Sequence, residues 1–224
     1  MPSDWLKKCL AELIGTFALV FIGAGSIIVT GAGDLTTIAL AHGLTLGVMV
    51  SATGAISGGH INPAVTLGFL VTGRINPKLG TLYIISQLLG GILAAILLVL
   101  FIDRGPREAV ELGATALATG VSPVQGMLIE AVLTFFLVFA VFLTAVDPRA
   151  PKSIAGFGIG MTLALSIMAG GPLTGGSLNP ARSFGPALLS GFWSDHWIYW
   201  LGPALGGVLA ALVYHHVLAP KEKA

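Results

Sequence analysis

Most of the residues in this chain that could do chemistry fall in a segment written twice. Gly58-Gly59-His60-Ile61-Asn62-Pro63-Ala64 and Gly175-Gly176-Ser177-Leu178-Asn179-Pro180-Ala181 share the pattern Gly-Gly-x-x-Asn-Pro-Ala. Each copy runs on through mostly apolar residues to Gly73 or Gly191. Asn accepts hydrogen bonds at a helix start, and Pro suits the first helical position because its missing N–H would be unpaired there. Each copy therefore reads as irregular backbone leading into a short helix, roughly 15 Å long at ~1.5 Å per residue, half of a roughly 30 Å hydrocarbon core. The carbonyls of Gly58, Gly59 and His60, and of Gly175, Gly176 and Ser177, would form a ladder of acceptors. Asn62 and Asn179 would bring amide donors and two helix N-termini, each roughly +0.5 of an elementary charge, to a common point. A neutral solute with lone pairs, such as water, would be oriented there, and a cation would meet a repulsive field.

Few other groups are ionisable and apolar-flanked. Arg182 lies one turn into the second short helix, where the first has Val65. A charge inside a membrane segment points to function, the alternative being an arginine that snorkels to the interface. Glu12 and Glu130 read as structural: carboxylates accept hydrogen bonds, and irregular backbone has donors to satisfy. A proton relay is the other reading. His60 is expected to matter through its carbonyl and packing. His42 alone reads as a packing or hydrogen-bonding residue, and His215 and His216 as interfacial. No cluster has metal-ligand spacing, no nucleophile has a base at hand, and no cofactor motif is present, so catalysis is not expected.

The elements that must position these groups are membrane helices. The composition is 55% hydrophobic and 9% charged, against roughly 25% charged for a soluble domain. Mean hydropathy is +0.92. A net charge of +1 gives no reason to expect a nucleic-acid partner. One cysteine, Cys9, excludes an intrachain disulfide. Apolar stretches run over about 10–29, 35–56, 79–102, 127–146, 154–169 and 197–217, and Asp103 to Glu111 begins a hydrophilic loop. This is an all-α polytopic fold: six transmembrane helices plus two half-spanning re-entrant helices in a lipid bilayer. Lys7, Lys8, Arg74, Lys78, Arg149, Lys152, Lys221 and Lys223 fall on one side, against Arg104 and Arg107 on the other. That bias places both termini in the cytoplasm.

The repetition extends beyond the boxes. Glu12 to Phe21 matches Glu130 to Phe139, and Gly90 to Ala95 matches Gly206 to Ala211, so the offsets are 118, 117 and 116 residues. Three crossings per half make the halves, about 1–105 and 120–219, inverted repeats within one channel domain spanning 1–224. Leu19, Leu137, Leu46 and Leu163 stand at matched positions. They are either ordinary lipid-facing or core leucines, or an apolar wall opposite the carbonyl ladder.

The two boxes, Glu12, Glu130 and the run His196 to Pro203 strongly resemble the major intrinsic protein family, the aquaporins, across essentially the whole chain. The resemblance implies a homotetramer with one pore per subunit and passive flow of water and small neutral solutes. It also implies an outer constriction of His42, Ile167, Gly176 and Arg182, and a pore wall that includes the four leucines. That set looks most like certain plant tonoplast intrinsic proteins, which resemble mixed water and ammonia channels. Ser183 after the arginine, and Tyr199-Trp200, look like the water-channel type rather than the glycerol type. The expected function is a water channel that also passes neutral ammonia and excludes protons and ions. A glycerol facilitator and, in another class, a secondary transporter are the alternatives. Short termini leave little room for a regulatory tail, so a cell membrane, plasma or prokaryotic inner, is expected.

Overall fold

The computed structural model describes residues 4–220. Lys221 and Lys223, counted above for orientation, lie outside the described residues. In chain order the helices are α1 (Asp4–Thr30), α2 (Leu35–Ser57), α3 (Pro63–Val71), α4 (Pro77–Phe101), α5 (Arg104–Ala109), α6 (Pro123–Ala140), α7 (Ala155–Thr174), α8 (Pro180–Ser190) and α9 (Ile198–Val213). Wider final turns extend α6 through Val141–Val146 and α9 through Tyr214–Leu218. Six helices, α1, α2, α4, α6, α7 and α9, are long and apolar enough to cross a membrane. Side chains such as Val29, Leu100 and Phe157 are exposed around them, as suits helices solvated by lipid.

α1 packs on α2 and α4, and α6 on α7 and α9 in the same way. α2 and α7 join the two groups, while α3 lies against α9 and α8 against α4. The α2–α7 contact is close because it is lined with small residues. A Cβ on Gly43 would stand 2.6 Å from Cβ of Ala164, and one on Gly160 would stand 2.9 Å from Cα of Gly47. In lipid, where apolar side chains gain nothing by leaving solvent, such approach of backbones is what holds helices together.

Several boundaries differ from the sequence reading: α1 begins at Asp4 rather than near residue 10, and α6 at Pro123 rather than 127. α7 continues past Ala169 through Pro172 to Thr174, because within hydrocarbon a helix that loses one bond at proline still satisfies more backbone than a loop would. The hydrophilic stretch after Asp103 contains the short helix α5, supported by an Arg104–Glu108 pair at 2.7 Å.

One face carries both chain ends. There Arg149 brackets Asp147, with Nε to Oδ1 at 2.9 Å and Nη2 to Oδ2 at 2.5 Å, and Nη2 also donates to the Leu218 carbonyl at 2.8 Å. The Arg149 guanidinium holds the Asp147 carboxyl well below the usual carboxylate range. Lys152 Nζ donates to the carbonyls of Ala145 and Asp147, and Arg74 stands 5.6 Å from the centre of the Tyr214 ring. The loops after α3 and α6 are thereby tied to the end of α9.

The irregular segments before α3 and α8 are held from behind by the two glutamates. Glu12 Oε1 accepts from the Ser57 hydroxyl (2.6 Å) and the His60 amide (2.9 Å). Its Oε2 accepts from the Ile61 amide (2.6 Å) and from Gln87 Nε2 (2.8 Å). Glu130 does the same for the second copy: Oε1 accepts from the Thr174 hydroxyl (2.7 Å) and the Ser177 amide (2.9 Å), Oε2 from the Leu178 amide (2.8 Å). Ile61 and Leu178, both fully buried, adopt left-handed backbone at φ 55° and 54°. For such residues that conformation costs about 1–3 kcal/mol, and the charge-assisted bonds to their amides offset it.

Two outcomes follow from this packing. Gly160→Val forces α2 and α7 apart, at about 1–3 kcal/mol for an overpacked contact, and should lower the yield of monodisperse protein in detergent. Glu130→Gln replaces an accepting oxygen with a donor and strands a buried amide, at about 1–3 kcal/mol. Its unfolding temperature in detergent and its water flux per folded protein should both fall; wild-type values for both would show that the carboxylate does not hold this backbone.

Candidate functional site

The tips of α3 and α8 meet. Asn62 and Asn179 are extended (φ −156° and −150°), and each caps its own helix: Asn62 Oδ1 accepts from the Ala64 amide at 2.8 Å, Asn179 Oδ1 from the Ala181 amide at 3.0 Å. Each amide nitrogen then reaches into the other half. Asn62 Nδ2 donates to the Leu178 carbonyl at 2.8 Å, and Asn179 Nδ2 donates to the Ile61 carbonyl at 2.9 Å. The left-handed turn at Ile61 and Leu178 is what points those carbonyls at the opposite tip. A carboxamide has two N–H donors, so each Asn keeps one beyond this link. Pro63, Ala64, Pro180 and Ala181 form the buried first turns and do not line the cavity described next.

Asn62 and Asn179 border a narrow internal cavity. Gly59, His60 and Ser177 line it on the side of the irregular segments, and Leu19, Leu46, Leu137 and Leu163 all line it as well. The amides of the irregular segments point away, to Ser57, Thr174 and the two glutamates, which leaves carbonyls as the polar groups that can turn inward. His60 packs its ring 4.2 Å from that of Phe69, and its Nδ1 lies 3.1 Å from Thr66 Oγ1. Gly58 lies instead in a wider cavity on the face of the chain ends, with Gly59, Lys152 and Ser153. The two cavities share Val50, Gly59, Val141 and Ile159.

His42 and Arg182 line the other end of the narrow cavity. Both are buried, and Arg182 Nε donates to His42 Nε2 at 3.3 Å. His42 Nδ1 lies 2.8 Å from the Ile38 carbonyl. We assign the ring proton to Nδ1, since Nε2 faces a donor that carries no lone pair. Both ring nitrogens are thus engaged by protein, and the ring packs on α1, where a Cβ on Gly23 would stand 2.5 Å from its Cδ2. Arg182 Nη1 donates to the Gly113 carbonyl at 2.8 Å. Arg182 is the third residue of α8, so its charge adds to the positive end of that helix. Ile167 and Gly176 lie against each other, a Cβ on Gly176 standing 3.2 Å from Cα of Ile167, and neither lines the narrow cavity; nor does Gly175.

Several lining residues were not foreseen. Val50, Val65 and Ile159 could have been found from the repeat. The boxes are offset by 117 residues (179 minus 62), which carries Ile167 to Val50, Arg182 to Val65 and His42 to Ile159. Gly113 had no such signal, because it lies in a loop outside the repeated pattern.

The sequence pattern that defines the major intrinsic protein family matches residues 2–214. The chain is 50% identical over 221 residues to aquaporin TIP4-4 of Zea mays, covering 93% of this chain and 85% of that protein. It is 44% identical over 233 residues to probable aquaporin TIP3-2 of Arabidopsis thaliana, with 97% and 85% covered. Among solved structures, the aquaglyceroporin from Plasmodium falciparum superposes with a TM-score of 0.81 at 24% identity, over 96% of this chain and 98% of that one. At that identity the match speaks for the fold. The expectation of a plasma or inner membrane is overturned, because these relatives are tonoplast aquaporins, whose membrane is vacuolar. The expectation rested on the short termini, which do not assign a chain to one membrane or another; the basic-residue bias reports only which side faces the cytoplasm and is the same for either membrane. Family pattern, relatives and fold agree: the chain belongs to the major intrinsic protein family, the aquaporins, multi-pass channels for the passive passage of water and not enzymes.

Proposed function

We propose that the protein conducts water and neutral ammonia in single file and excludes protons and other ions, in the vacuolar membrane. The direct Arg182–His42 contact at the end of the cavity carries this reading. It puts a fixed positive charge, added to a helix N-terminus, on one wall and a neutral ring on the other. Pore diameter, lining donors and acceptors, and electrostatic barriers are the known determinants of selectivity in channels of this class. His42 and Arg182 form the outer filter where the cavity narrows, and Ile167 and Gly176, packed on each other outside the narrow cavity, complete its rim. The carbonyls of Gly59, His60 and Ser177 replace part of the hydration shell inside the narrow cavity, those of Gly58, Gly175 and Gly176 do so in its approaches, and the four leucines make the opposite wall. Asn62 and Asn179 each offer their second N–H to a water oxygen at the centre. Water bound there donates outward both ways, which breaks a continuous proton wire.

The two halves, about 1–105 and 120–219, act as inverted repeats of one channel domain, and the channel works as a homotetramer with a pore in each subunit. The family to which the chain belongs and the exposed apolar sides of its helices support that assembly. Chemical cross-linking in lipid should give a ladder ending at four copies; a ladder ending at two would overturn it.

Stopped-flow measurements on proteoliposomes test the filter. Wild-type vesicles should shrink several-fold faster than bare lipid, and an internal pH dye should report methylamine entry with no proton leak. Arg182→Val should raise urea and proton flux several-fold while water flux changes little. Unchanged urea and proton flux in the folded variant would remove Arg182 from the filter.

A further inference from the structure

The segment joining the two halves does more than connect them. Glu111, Leu112 and Gly113 all have left-handed backbone, at φ 47°, 56° and 73°. Two consecutive non-glycine residues in that region cost about 1–3 kcal/mol each, so something must hold them. Leu112 is 3% exposed and buried among Val20, Ala24 and Ile28 of α1 and Ala94, Ala95 and Leu98 of α4. Gly113 is pressed so close to α1 that an added Cβ would stand 3.0 Å from Cα of Ala24. The carbonyl of Gly113 receives Arg182 Nη1.

Two residues on, Thr115 Oγ1 lies 2.8 Å from Ser183 Oγ, and Ser183 Oγ lies 2.5 Å from Ser177 Oγ. Ser177 Oγ donates to the Asn179 carbonyl at 2.9 Å. The first half has a matching cluster. Thr66 and His60, 117 residues before Ser183 and Ser177, are joined at 3.1 Å, and Gln87 Nε2 of α4 donates to Thr66 Oγ1 at 3.1 Å. At the 116-residue offset of the last helix, the counterpart of Gln87 is Pro203, which has no polar side chain. Thr115 stands where that partner is missing, itself 3% exposed and packed 3.1 Å from where a Cβ on Gly175 would lie.

We propose that Leu112 and Thr115 are positioning residues for the filter: Leu112 anchors the loop to α1 and α4, Thr115 anchors it to α8, and between them the Gly113 carbonyl is fixed so that it holds the Arg182 guanidinium at the passage. The inference rests on the filter reading of Arg182. Releasing either anchor lets the guanidinium move aside and widens the passage without removing its charge.

The test uses the full chain in proteoliposomes and reads the ratio of urea to water permeability. Leu112→Ala and Thr115→Val should each raise that ratio several-fold, in the direction of Arg182→Val, while Thr115→Ser keeps the wild-type ratio. Added to Arg182→Val, neither change should raise it further, since both act through the same guanidinium. If Leu112→Ala does not fold, Leu112→Val is read in its place, with a smaller rise expected. A raised ratio in Arg182→Val together with wild-type ratios in folded Leu112 and Thr115 variants overturns the inference and leaves the filter standing. So does an additive rise in the double variants. A wild-type ratio in Arg182→Val overturns the filter reading, and the inference falls with it.

Discussion

Backbone that leaves a helix inside hydrocarbon must find hydrogen bonds for its amides or it cannot stay there. That constraint governs the molecule. A passage for water needs carbonyls facing inward, and carbonyls are free only where the chain is not helical. The non-helical chain then exposes amides on its other side. Glu12 and Glu130 take those amides, and the two asparagine side chains take the carbonyls of Ile61 and Leu178 where the half-helices meet. Each carboxylate thus serves the segment of its own half, and each asparagine serves the segment of the other. Removing any one leaves a buried polar group without a partner, which is why a carboxylate and a carboxamide, costly residues in lipid, are the ones used here.

Much of this was legible because the chain states it twice. A carboxylate in one apolar stretch is ambiguous, but Glu12 and Glu130 at matched places before matched boxes leave little besides a structural demand present in both halves. The same doubling brought out the four leucines. What stayed hidden lies where the halves differ or where contacts cross between them. The reciprocal links from Asn62 to Leu178 and from Asn179 to Ile61 depend on how the two tips meet, which no periodicity encodes. The full engagement of His42 required knowing that Arg182 points its Nε at the ring and that Ile38 lies one turn below. The end of α7 was placed too early, near residue 169, whereas lipid makes stopping expensive and the helix runs on through Gly170, Gly171 and Pro172 to Thr174. The membrane was misplaced for a different reason: it was inferred from the short termini, and tail length does not specify an organelle.

Inverted symmetry also explains why discrimination should sit at one mouth. Carried across the repeat, the residues His42, Ile167, Gly176 and Arg182 become Ile159, Val50, Gly59 and Val65. All four of these line the narrow cavity, Ile159, Val50 and Gly59 also border the wider cavity on the face of the chain ends, and none of their side chains is polar. A solute entering from that side meets only the general cost of desolvation and the carbonyls that offset it. At the opposite mouth the proposed filter sets the fixed charge of Arg182 in its way. A passage with charges at both mouths would hold an anion or a dipole between them and slow its exit; one with charge at neither would offer cations only the helix ends as a barrier. Duplication supplies the scaffold twice, but selectivity with fast release needs the filter once. The halves can therefore keep the same glutamates and asparagines, which hold the backbone, and diverge at Val65 and Arg182, where the proposed filter lies.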